Sequence, residues 1–70
     1  MEYRYYYKYA EIDPETNMCI GVHSTTTATN ETDYWVAIPV FDEEYIFKYY
    51  INGSWYEDEA GTIPWQSSLL

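Results

Sequence analysis

Hydrophobic positions in this chain recur mostly at every second residue. In residues 3–12, Tyr3, Tyr5, Tyr7 and Tyr9 share one face of an extended segment, and Arg4, Tyr6, Lys8 and Ala10 share the other. Rings at period two predict a strand, and the β-propensity of tyrosine agrees. Asp13-Pro14-Glu15-Thr16-Asn17 predicts a turn. Its Asp side chain can bond the backbone, Pro presets φ, and Asn tolerates left-handed geometry. A second strand follows over about residues 18–27. There Met18, Ile20 and Val22 alternate with Cys19, Gly21 and His23. The first two strands are therefore predicted to form a hairpin.

Residues 24–33 are rich in Ser, Thr and Asn; the first few can continue the strand, and the rest reads as an exposed loop. A third strand is predicted over residues 34–38, ended by Pro39, which cannot donate to a ladder. Asp42 can cap a short helix with Glu43 and Glu44 in its first turn. Phe41, Tyr45, Lys48 and Tyr49 make only a partial helical stripe, so the pattern predicts one helical turn or tight loop over residues 41–45 and then a strand. Asn52-Gly53 between two strand-like runs is the sharpest local signal, because this dipeptide favours a two-residue hairpin turn. That turn sets Ile51 against Ser54, Tyr50 against Trp55, Tyr49 against Tyr56, and Lys48 against Glu57 as an ion pair. Such cross-strand pairs contribute about 0.2–1 kcal/mol each. Residues 59–64 read as a loop, and 65–70 as a tail that stays loose unless Trp65, Leu69 and Leu70 dock.

The predicted architecture is mainly β. It is a small antiparallel sheet of about five strands, made of two hairpins and a linking strand, with at most one short helical turn. Residues 1–64 form a single domain and 65–70 a C-terminal tail. Composition sharpens this picture. The chain has ten Tyr, three Trp and two Phe, and its leucines are only Leu69 and Leu70. A helical bundle needs aliphatic residues at helical spacing, whereas aromatic rings suit a thin sheet with half-buried faces. At 70 residues a lone core supplies only about 3–5 kcal/mol. One cysteine, Cys19, excludes an internal disulfide, and no Cys/His cluster offers a zinc site. No cofactor is implied. The net charge of −9, from twelve acids against three bases, disfavours nucleic acid and anionic membranes as partners and favours a basic protein surface. No apolar run is long enough to span a bilayer as a helix. The polar, aromatic N-terminus has no apolar core of a secretory signal.

Cys19 and His23, four apart on a regular strand, share a face at about 13 Å, too far for a thiolate–imidazole pair. Catalysis is therefore not expected. Asp42-Glu43-Glu44 and Glu57-Asp58-Glu59 are acidic triplets that the last hairpin brings toward one sheet edge. They match no calcium loop, and edge charges alone suffice to block unwanted strand pairing. The aromatic surplus points elsewhere. One thin core cannot hide all the rings, and exposed aromatic patches mark partner surfaces. Tyr5, Tyr7, Tyr50, Trp55 and Trp65 are the residues expected to carry binding.

Residues 9–17, Tyr-Ala-Glu-Ile-Asp-Pro-Glu-Thr-Asn, and residues 49–57, Tyr-Tyr-Ile-Asn-Gly-Ser-Trp-Tyr-Glu, resemble small proteins of bacteriophage and prophage tail regions. Those proteins open with a comparable Asp-Pro-Glu-Thr hairpin and end with an Asn-Gly or Asp-Gly hairpin and a tryptophan. The resemblance implies a virion or tail accessory role in the bacterial cytoplasm or the particle. Two functions are expected in order. The first is a non-enzymatic structural or interaction protein that self-associates or docks on a larger assembly. The second is an acidic nucleic-acid mimic, in which Asp42, Glu43, Glu44, Glu57, Asp58 and Glu59 stand in for phosphates on a host protein's basic groove. A glycan-binding aromatic platform ranks third.

Overall fold

A computed structural model of the chain describes residues 7–26 and 34–70. The start of the first predicted strand, Tyr5 included, and the loop at 27–33 lie outside the described residues. The fold is mainly β, as the alternation predicts. Its strands are β1 (Tyr7–Ile12), β2 (Cys19–Thr25), β3 (Trp35–Ala37), β4 (Tyr49–Ile51) and β5 (Ser54–Tyr56), with one 3-10 turn at Glu43–Tyr45. All pairings are antiparallel.

Both hairpins turn where expected. Between β1 and β2, Asp13 Oδ1 accepts from the Glu15 N–H at 2.9 Å. Asn17 adopts φ 64°, and its N–H returns to the Asp13 carbonyl at 2.8 Å. Between β4 and β5, Asn52 and Gly53 take φ 51° and 83°, the two positive angles of a primed turn. The register then pairs Ile51 with Ser54, Tyr50 with Trp55 and Tyr49 with Tyr56.

Three details differ from the sequence expectation. First, the strands form two sheets, β2-β1-β3 and β4-β5, rather than one. The sheets touch along the start of β2, where Met18 bridges Tyr49. There the Cys19 N–H donates to the Lys48 carbonyl at 2.7 Å and the Phe47 N–H to the Cys19 carbonyl at 2.8 Å. Phe47, at φ 76°, breaks the extended path that a continuous ladder requires. Second, the ladder ends at Tyr49–Tyr56, so the expected Lys48–Glu57 ion pair is not made. The Lys48 ammonium lies over the Trp65 ring, 5.3 Å from its centroid, and the Glu57 N–H donates to Ile63. Third, the register shifts between Glu11 and Ile12, which pair with Gly21 and Cys19, leaving Ile20 unopposed. This bulge reverses the facing of residues on either side of it. Cys19 therefore joins the core, Val22 packs against it, and Ile20 is exposed. His23 falls on the other face, contrary to the shared face predicted for Cys19 and His23.

The core consists of Ala10, Ile12, Cys19, Ile38 and Tyr45. Its last two members come from the segment linking β3 to β4. β3 flanks β1 on one side and β4 flanks the start of β2 on the other, so the link crosses the sheet face and closes the core. The expected helical turn at residues 41–45 is there, with Asp42 as its N-cap.

Candidate aromatic cleft

Two local devices hold the C-terminal third in place. Asp58 staples the loop after β5: its carboxylate accepts from the N–H groups of Thr62 and Ile63, each at 2.9 Å, and from the Thr62 hydroxyl. These bonds, the Thr62 hydroxyl foremost, hold the Asp58 carboxyl below its ordinary pKa. The chain then returns along the outer edge of β5, where Tyr56 bridges Pro64 and the Trp65 N–H donates to the Trp55 carbonyl at 3.0 Å. The second device is Asp42. It is buried, accepts from the Glu44 N–H at 2.9 Å, and accepts from the Ser67 hydroxyl. Ser67 is buried as well, so this bond ties residues 65–70 to the 3-10 turn.

The two devices place Trp55 and Trp65 on either side of Tyr45. The Tyr45 ring meets Trp55 edge-on at 4.8 Å and Trp65 edge-on at 4.9 Å, both favourable aromatic geometries. Tyr50 packs on Trp55 at 5.0 Å. Burial raises the Tyr45 hydroxyl above its ordinary pKa, helped by the Asp42 charge. Next to this cluster lies an open cleft of about 370 Å³, walled by Trp55, Trp65, Tyr45, Pro39 and Pro64, with Gln66 at its side.

The structure thus gathers three of the expected binding residues, Tyr50, Trp55 and Trp65. Tyr7 lies apart, exposed at the start of β1. The sequence reading missed Tyr45, Pro39, Pro64 and Gln66. Tyr45 was legible only as part of a short turn, Pro39 as a strand end and Pro64 as the end of a loop. The acids divide into two kinds. Asp42 and Asp58 spend their carboxylates within the chain, while Glu43, Glu44, Glu57 and Glu59 are exposed.

Elsewhere the titratable groups hold structure. Burial raises the Cys19 thiol above its usual pKa, which suppresses the reactive thiolate, and Sγ donates to the Gly21 carbonyl at 3.2 Å. His23 stacks on Trp35 with centroids 4.3 Å apart, and its Nε2 lies 2.9 Å from Glu11 Oε1. Among the described residues, no group of three His, Cys, Asp or Glu is arranged to hold a metal. No helix among them is long and apolar enough to cross a membrane. The fold and the cleft together define a small mainly-β domain with an open aromatic site. Comparisons with protein families, curated proteins and solved structures find no match.

Proposed function

We propose that this chain is a non-enzymatic interaction protein that works through aromatic surface, self-associating or docking as an accessory module on a larger assembly of phage-tail type. One observation carries the reading. Among the described aromatic side chains only Tyr9 and Tyr45 are buried, while Tyr7, Tyr34, Phe41 and Phe47 are exposed and Trp55 and Trp65 are half-covered beside an open cleft. A small domain that leaves so much flat apolar surface in water gains free energy by covering it. Size-exclusion chromatography with light scattering at micromolar concentration is the test. A dimer or trimer is the expected result. A strict monomer that also fails to associate with purified tail assemblies removes the proposal.

The acidic-mimic reading has narrower support. The four exposed glutamates, two on each side of the molecule's last hairpin in sequence, remain available to a basic groove. Competition with DNA for a host DNA-binding protein, weakened by salt, is what it requires.

A further inference from the structure

We propose that the cleft between Trp55 and Trp65 binds an extended, proline-containing segment of a basic protein. This inference rests on the interaction-module reading and names the partner of its best-formed site.

Size comes first. A space of about 370 Å³ lies at the low end of the range of ligand-binding clefts, a size that suits a short extended segment. The walls come second. Rings and prolines dominate them, and an extended polyproline-type ligand docks on aromatic grooves because its conformation is already ordered. Hydrogen bonding is the third and most selective feature. Neither the Trp55 nor the Trp65 indole N–H has an acceptor within the chain among the described residues, and no buried polar atom there lacks a partner, so both N–H groups reach solvent. The exposed Gln66 amide is equally uncommitted. Three residues that line the cleft, Trp55, Trp65 and Gln66, therefore hold uncommitted donors, and a polyproline-type backbone offers a row of carbonyl acceptors with no internal partners.

Charge selects the flanks of the ligand. The chain carries −9 overall. The exposed Glu44 and Glu57 stand one and two residues from the lining residues Tyr45 and Trp55. Lys48 already lies over Trp65, so the ligand's cations belong beside these glutamates rather than on that ring. A neutral sugar fits less well. It carries no positive charge to answer the chain's −9.

The test titrates the full-length, ¹⁵N-labelled chain with a synthetic peptide of alternating arginine and proline, and in parallel with its glutamate–proline counterpart and a neutral glucose oligosaccharide. The Trp55 and Trp65 indole N–H signals are expected to move with the basic peptide while the Trp35 signal stays. Glu57→Lys and Gln66→Ala, both at exposed positions, are expected to weaken binding about threefold to tenfold with the fold intact. Equal shifts with the acidic peptide, stronger shifts with the oligosaccharide, or no shift with any probe overturn the proposal. So does a self-associated chain that Gln66→Ala dissociates, since the occupant is then a second copy. An oligomer that ignores every probe sinks this inference and leaves the interaction-module reading standing; a monomer that binds the basic peptide does the reverse for self-association.

Discussion

A carboxylate on a short side chain can serve a partner or its own backbone, and Asp42 and Asp58 serve the backbone. At Asp42 two roles coincide, the cap of the 3-10 turn and the acceptor for buried Ser67. Losing a cap oxygen costs about 0.5–2 kcal/mol, and a buried hydroxyl left without an acceptor adds about 1–3 kcal/mol. Asp42→Ala is therefore expected to lower stability by about 2–3 kcal/mol in urea unfolding, and Ser67→Ala, which leaves one oxygen of the buried Asp42 carboxylate without that donor, by about 1–3 kcal/mol. If the two variants are equal and small, the tie does not hold the tail. Asp58 makes a pH prediction. Its folded carboxyl titrates below the ordinary value, chiefly through Thr62, so its contribution is full at neutral pH and is lost as pH falls through the lowered folded pKa. Melts of Asp58→Ala should lie below those of the parent at pH 7, and the gap should close in strong acid; a gap that widens toward acid reverses the sign and refutes the assignment. The capping role of Asp42 was readable from the acids that follow it. The loop-stapling role of Asp58 was not, because its partners, Thr62 and Ile63, become neighbours only once the chain doubles back.

At the scale of elements, local chemistry decides what is legible. The turns at residues 13–17 and 52–53 were readable because Asp, Pro, Asn and Gly each satisfy a specific backbone angle or bond, and the register of the second hairpin follows from its turn over residues 49–56. The bulge opposite Glu11 and Ile12 was not. Strict alternation is the simplest reading of Cys19-Ile20-Gly21-Val22-His23, and only the competition for the core shows that Cys19 and Val22, three apart, must both face inward. The single sheet expected from five strand signals divides for a similar reason: the pattern cannot report the positive φ at Phe47. Gly61 tests how tightly the last loop is built. It sits at φ +71°, and a methyl there would lie 3.1 Å from Ile51 Cδ1. Left-handed backbone costs an L-residue about 1–2 kcal/mol. Gly61→Ala is expected to cost that amount or slightly more, whereas Gly53→Ala, at φ +83° with open space around it, should cost only about 1 kcal/mol. Denaturant midpoints compare the two directly, and an Ala at 61 as stable as the parent means the loop relaxes without effort.

At the scale of the molecule, the fold closes through segments that are neither helix nor strand. The link across the sheet supplies Ile38 and Tyr45 to the core, and residues 65–70 lock that link from outside through Trp65 on Tyr45 and Ser67 on Asp42. The candidate site is built from the same pieces, which is why the sequence showed its tryptophans but not the cleft between them. The energetics follow from size. A 70-residue chain has about 3–5 kcal/mol from its core to lose. Removing a buried tryptophan costs about 3–5 kcal/mol; Trp65 is half-buried and loses less, but the Ser67–Asp42 bond goes with it. A chain ending at Pro64 is thus expected to lose its cooperative thermal transition at neutral pH, although every strand is still present. Leu69→Ser with Leu70→Ser is the control. Both leucines are mostly exposed, at 62% and 59%, so the double variant should melt within about 0.5 kcal/mol of the parent. A truncated chain that unfolds as cooperatively as the full one shows that the sheets alone define the fold, and the cleft is then an appendage rather than part of what keeps the domain closed.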